Sequence, residues 1–174
     1  MLTDIAKQQL RKAGWYEGRK IDLSKYEEAY AEVGCKLFPA ARKFLEEYGD
    51  LDIQDKYIST ATYENGDHFI VINRSLIDVA YCCYPRDLEL EKMVDELFHQ
   101  KILRVGAIDH GNIDIYISED GRFFVNWYFD GLWAENSDQL WNEYYGEEYG
   151  RASWEDLKAS KGRTMFKKKV KKYL

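Results

Sequence analysis

The chain has 174 residues, 45% hydrophobic and 16% aromatic, enough for one compact domain with its own core. We expect no membrane span, because no apolar stretch approaches the ~20 residues required, and no secretory signal, because the first residues lack a basic start and an apolar run. Seven of the 25 basic residues lie in 161–174, which hold no acid, so residues 1–160 carry 18 basic residues against 31 acidic ones. This excess disfavours nucleic acid and favours basic protein partners, although a solubility role explains it equally well.

Three helices are predicted in the first part of the chain. Thr3 is a suitable N-cap for the first, whose apolar residues share one face until Gly14 ends it. Ser24, with Glu27 three residues later, forms a capping box for the second. Pro39 suits the first turn of the third, which we expect to end at Gly49 after burying several large side chains: Phe38, Ala41, Phe44, Leu45 and Tyr48.

The segment between the first two helices, "KAGWYEGRKID", contains a tryptophan that is costly unless something covers it. We expect Trp15 to pack over the crossing of these helices, and Arg19 to hydrogen-bond helix-end carbonyls or an acid. No nucleophile or base accompanies them, so a structural clasp, the name used here for residues 14–19, is favoured over a functional loop. The functional loop remains the alternative.

A sheet is predicted in the second half. Residues 57–72 hold two runs around Asn65–Gly66, a pair typical of hairpin turns, and residues 88–98 have the pattern of a helix. In 113–118, three isoleucines alternate with Asp, Tyr and Ser, which predicts one buried and one wetter face. Asp120–Gly121 then indicates another turn.

The meander continues through Asp130–Gly131, and Asn136 or Ser137 caps a last helix that Gly146 ends. The fold class is therefore α+β, with N-terminal helices packed on a largely antiparallel, twisted sheet and a C-terminal helix closing the meander. We expect one domain over residues 1–160 and a basic tail over 161–174, in which Phe166, Val170 and Leu174 have helical spacing. The tail's lysines either dock on the acidic body, remain disordered, or attach to a membrane surface or nucleic acid; we favour the first two.

Residues able to perform catalysis are scattered along the sequence. The three histidines lack the spacing of a metal site, and Cys82–Cys83 is not a CxxC motif, so with Cys35 these cysteines are expected to be reduced, mostly buried thiols. Asp109, Asp114 and Asp120 lie near two turns and are candidates for a group of acid–base carboxylates, but aspartates far more often support turns. No nucleotide-binding or nucleophile motif is present, and we predict no enzyme activity, cofactor or metal.

Four stretches resemble the SUKH superfamily, in its third group: "LRKAGWYEGRKID", "FPAARKFLEEYGDLDI", "VGAID…IDIYISEDGRFFVNW" and "LWAENSDQLWNEYYG". The resemblance runs from about Leu10 to Gly146. Its most specific parts are the Ala-Gly-Trp…Gly-Arg opening and the Asp-Gly-Arg turn. The residues that carry this structural signature are Gly14, Trp15, Arg19, Asp120 and Gly121.

This resemblance implies a bacterial immunity protein of polymorphic toxin systems, which acts in the cytoplasm by stoichiometric binding to a cognate toxin domain. The acidic body favours a basic toxin, such as a nuclease, and neither nucleic acid nor membrane as partner. Candidate partner-binding residues are the acids among the aromatics of 127–149: Asp130, Glu135, Asp138, Glu143, Glu147 and Glu148. A regulatory scaffold for another protein is the alternative, and a hydrolase using the Asp109–Asp120 carboxylates is a third hypothesis.

Overall fold

A computed structural model describes residues 1–64, 66–83, 87–126 and 131–145, with only the backbone described for 57–62, 69–71 and 131–132. The tail and the turn residue Asn65 therefore lie outside the described residues. Within these ranges helices and strands follow in this order: α1 (Asp4–Lys12), α2 (Ser24–Glu32), α3 (Pro39–Tyr48), β1 (Leu51–Thr62), β2 (His68–Ile77), α4 (Val79–Cys82), α5 (Leu88–Phe98), β3 (Ile102–Ile108), β4 (Ile113–Ser118), β5 (Phe123–Val125), β6 (Gly131–Ala134) and α6 (Ser137–Tyr145).

The N-terminal helices begin largely where the sequence predicts. The hydroxyl of Thr3 accepts from the amide of Ala6 at 3.2 Å and caps α1. The predicted capping box of α2 is wrong: Ser24 is already helical, and its amide and hydroxyl both donate to the carboxylate of Asp22. The serine hydroxyl is therefore engaged outside the helix and does not cap it.

Gly49 ends α3 as expected. A glycine is needed there because a side chain would not fit, and not because the backbone is left-handed. A Cβ at this position would lie 2.5 Å from the carbonyl oxygen of Leu45 and 2.8 Å from Cδ1 of Ile21. The left-handed residue is the next one, Asp50, with φ 61°. Its carboxylate accepts the hydroxyl of Tyr26 at 2.7 Å, so the turn from α3 into β1 is fastened to α2.

The six strands form one antiparallel sheet in chain order, β1 to β6. The long β1–β2 hairpin joins the β3–β6 meander at a narrow seam, where the registered pair is Leu76 with Ala107. Gly106 lies in this seam, and a Cβ there would come within 2.7 Å of the carbonyl oxygen of Leu76. A glycine is thus required for the two halves of the sheet to approach each other.

The helices cover both faces of the meander. On one face α1, α2, α3 and α6 pack over the isoleucines of β4 and the alternate residues Phe123 and Val125. On the other face, Leu90 and Val94 of α5 pack against Ile102, Tyr116 and Phe124 of the sheet and form a second, smaller cluster with them. The prediction of a wetter face in 113–118 is therefore wrong, because Tyr116 is buried beneath α5 and Ser118 is buried against the turn that follows β4.

The architecture confirms the predicted α+β class with a largely antiparallel sheet. The helix predicted over 88–98 is confirmed with the same bounds as α5. The N-cap of α6 is Asn136, whose side-chain oxygen accepts from the amide of Gln139 at 2.9 Å. In the described part of the chain, no helix is long and apolar enough to cross a membrane.

Candidate functional site

Two side chains attach the clasp to α3: Trp15, which is buried, and Arg19, which is half-buried. Gly14 has φ 99°, the left-handed conformation that glycine adopts at low cost after a helix. Trp15 is 4% exposed, its ring stacks on Tyr48 with centroids 6.5 Å apart, and its indole N–H donates to Glu47 at 3.2 Å. Arg19 donates to the backbone carbonyl of Glu47 at 2.7 Å. The stacking partner and the hydrogen-bond acceptor of the Trp15 side chain thus belong to α3, whereas its backbone amide donates to the carbonyl of Leu10 in α1 at 3.0 Å.

The Asp-Gly-Arg turn fastens the end of the β4–β5 hairpin to α5. Gly121 has φ 90°, and the hydroxyl of Ser118 donates to the Asp120 carboxylate at 2.5 Å. The Arg122 guanidinium pairs with Asp120 at 2.6 Å and lies 4.7 Å from the ring centre of Phe98 in α5. The hydrogen bond from Arg122 holds the pKa of Asp120 below its usual value. These residues therefore support a turn.

The carboxylates of Asp109 and Asp114 each have partners of their own. Asp109 accepts from the Asn112 side chain at 3.3 Å in an exposed turn. Asp114 forms an ion pair with Arg104 on the neighbouring strand, and its carboxylate accepts a hydrogen bond from the side-chain amide of Asn126 at 3.1 Å. Burial raises the pKa of Asp114, and Arg104 opposes that shift. Asp109 and Asp114 flank the start of β4, whereas Asp120 lies beyond its other end, so the structure does not bring the three together as an acid–base group.

Cys35 and the adjacent pair Cys82–Cys83, which are distant in sequence, line one small cavity near the end of α4. All three are free thiols; Cys82 is buried, and Cys35 and Cys83 are half-buried. Cys82 is the last residue of the short helix α4, and Cys83 is its C-cap. Burial raises the pKa of Cys82, and raises that of Cys83 to about 11, so both are poor nucleophiles.

The three histidines lie at the ends of helices and strands or in a turn. His99 adopts a left-handed conformation directly after α5, and Nε2 of His110 lies 2.6 Å from the carbonyl oxygen of Ile72. His68 begins β2. Among the described residues, no group of three or more His, Cys, Asp or Glu side chains is arranged to hold a metal ion.

The candidate partner-binding acids are only partly within the described residues. Glu135 is exposed before α6, and Asp138 pairs with the amino group of Met1 at 3.0 Å. Glu143 is half-buried on the same helix, and five residues place it about 140° around the axis from Asp138. These acids do not share one stripe, so α6 does not by itself present a continuous acidic face. The other candidates, Asp130, Glu147 and Glu148, lie outside the described residues.

A groove that the sequence did not indicate lies between α5 and the connection of α2 to α3. It has a volume of about 890 Å³ and is bounded by residues 34–39 on one side and by α5 on the other, with residues 100–103 between them. We call it the α5 groove. Leu88, at its edge, is 67% exposed. An exposed leucine among the acids of "LELEKMVDELF" was the available sequence signal, but the opposing wall comes from residues some fifty positions earlier.

Comparison with protein families assigns the chain. The model of the SUKH-3 immunity protein family matches residues 3–145, from the N-cap of α1 to the last residue of α6. The chain belongs to the SUKH-3 immunity protein family. The resemblance identified from the sequence is therefore confirmed. No curated protein and no solved structure gave a match.

The SUKH-3 match includes every described helix and strand, the clasp and the Asp-Gly-Arg turn. Trp15 and Arg19 of the clasp hydrogen-bond to α3, and Asp120 pairs with Arg122. The sequence features by which the SUKH-3 resemblance was identified thus occupy scaffold positions. Surface residues of the groove and of α6 are the candidates for contact with a partner.

Proposed function

We propose that this chain neutralises a cognate bacterial toxin domain in the cytoplasm by forming a stoichiometric complex with it. The complex covers the active site of the toxin or the path of its substrate, and this chain performs no chemical step. The observation that carries the proposal is the SUKH-3 immunity family match over residues 3–145.

The toxin we propose is a basic nuclease. An enzyme that acts on nucleic acid needs a basic surface against the phosphate backbone. Residues 1–160 carry an excess of 13 acidic over basic residues, 31 against 18, which complements such a surface. Opposite charges accelerate encounter and disfavour partners of the wrong charge. An acidic inhibitor can therefore compete with nucleic acid for the same basic surface.

The test is co-expression with the toxin domain encoded next to the gene of this chain. We expect cells to survive, the two proteins to co-elute as a complex of fixed stoichiometry, and association to slow as salt rises from low to physiological concentration. Survival without a complex would contradict binding as the mechanism. Association rates independent of salt would contradict the basic-partner part of the proposal alone.

The non-enzymatic part has a separate control. Asp109→Ala and Asp120→Ala remove carboxylates that the hydrolase hypothesis requires, and both residues lie on turns. We expect each variant, once its melting temperature shows that it is folded, to protect cells as the unaltered chain does. Loss of protection by a folded variant that still binds the toxin would indicate catalysis.

A further inference from the structure

The α5 groove has the anatomy of a protein-binding site. Its floor is apolar, formed by nearly buried residues such as Leu37, Ile102 and Leu103, and its rim is charged. Protein interfaces combine an apolar centre with a polar rim. The volume of about 890 Å³ is at the upper end for small-molecule sites, but a small-molecule site converges a few polar groups on the ligand, whereas here charges of both signs line the edges.

Exposed apolar residues extend the apolar surface of the groove toward the solvent. Leu88, in the first turn of α5, is 67% exposed and lines the groove together with the half-buried Phe38 and the exposed Pro39 of the opposite wall. A single exposed leucine is ordinary on a protein surface, but a leucine contiguous with an apolar groove forms a patch. An inserted apolar side chain would contact both walls.

The negative charge on α5 favours a basic occupant of the groove. With its N-cap Asp87, this helix carries five acids and a single lysine, Lys92, which pairs with Glu96 at 3.7 Å. Glu91, Lys92 and Asp95 line the α5 side of the groove, where Glu96 offsets the charge of Lys92, and Glu119 lies at its end. Lys36 and Lys101 line the other wall and the floor, so an occupant's cations are favoured against α5.

A small extension of the groove is lined by a residue with a buried polar group. The hydroxyl of Tyr116 is buried there and has no hydrogen-bond partner within the described residues. The extension shares Cys35, Glu91, Ile102 and Leu103 with the groove and has a volume of about 20 Å³, which accommodates one water molecule or one polar atom.

We propose that the α5 groove receives a basic segment of the toxin, with one apolar side chain inserted beside Leu88 and lysines or arginines facing Glu91 and Asp95. This rests on the proposed function and adds the surface that performs it. It places the main contact on α5, away from the acids of α6.

The test is a charge reversal with a matched control on the same helix. Asp95→Lys changes a groove residue, and Glu89→Lys makes the same change in net charge at an exposed position that does not line the groove. Using the toxin domain encoded next to this chain as the probe, we expect Asp95→Lys to weaken binding by about tenfold to a hundredfold and Glu89→Lys by less than about threefold. Leu88→Ser should weaken binding by about tenfold with little change in salt dependence.

The other possible results of this test would contradict either the groove assignment or the proposed function. Equal losses for both charge reversals would indicate general electrostatics and overturn the groove assignment, as would toxin binding by Asp95→Lys with unchanged affinity. Absence of binding by the unaltered chain would overturn the proposed function itself. Finally, if Asp95→Lys lowers the melting temperature of the isolated full chain at low salt but not that of a chain ending at Lys161, the groove holds the chain's own basic segment, and the proposal is wrong.

Discussion

Replacement of Trp15 tests the structural role of the clasp. A buried tryptophan removes roughly 150–250 Å² from water, which at about 25 cal/mol per Å² contributes about 4–6 kcal/mol. The methyl group of alanine retains about 1 kcal/mol of this, so Trp15→Ala should lower the free energy of unfolding by about 3–5 kcal/mol. The loss includes the stacking on Tyr48 and leaves Glu47 without its indole donor.

The assay is equilibrium unfolding in urea, followed by tryptophan fluorescence and circular dichroism. Tyr16→Ala provides the control, because Tyr16 is the neighbouring aromatic in the same segment and is 59% exposed; its effect should stay within about 0.5 kcal/mol. A Trp15→Ala variant that unfolds like the unaltered chain but no longer binds the toxin would refute the structural role and make residues 14–19 a binding loop.

Four further outcomes can be measured. Truncation after Lys161 should leave a folded protein that still neutralises its toxin, slightly less stable at low salt, since exposed ion pairs contribute only about 0–1 kcal/mol each; growth assays and melting curves check this. In the folded state at about pH 8, Cys82 and Cys83 should react slowly with iodoacetamide, with roughly one Cys83 in a thousand ionised, and should become reactive in urea. Arg122 lowers the pKa of Asp120, so their pair stabilises the fold at neutral pH and this contribution is lost as the pH falls through that lowered value. Asp120→Asn should therefore reduce the difference in unfolding free energy between about pH 6 and about pH 2 by up to about 1 kcal/mol. Gly106→Ala should destabilise by about 1–3 kcal/mol in thermal melts, because its Cβ would crowd the backbone at the β2–β3 seam.

Local signals in the sequence predicted most helices and turns. The helix α5 has clear caps and periodicity, and its bounds are as predicted. β1 begins at Leu51, earlier than the β-rich stretch that starts at Tyr57. The reason is that the turn after α3 uses the left-handed Asp50 immediately after Gly49, so no loop separates helix and strand.

Features that depend on contacts between distant segments were not predictable from periodicity. Alternation in β4 indicates two faces but not what packs on the second, and α5 buries Tyr116 there. Ser118 can be buried at low cost because its hydroxyl hydrogen-bonds to the Asp120 carboxylate and to the carbonyl of Arg122. The α5 groove was missed for the same reason, since its two walls come from separate parts of the chain.

The separate core beneath α5 has a consequence for hydrogen exchange. Leu90 and Val94 attach this helix to the sheet through a small cluster that is distinct from the main core under α1, α2, α3 and α6. A helix attached in this way can open and close while the rest of the domain stays folded. Its amide protons should therefore exchange with deuterium sooner than those of α3, whose Phe44 and Leu45 lie in the main core. A partner bound in the α5 groove would slow that exchange, so protection of α5 on complex formation reports occupancy of the groove directly.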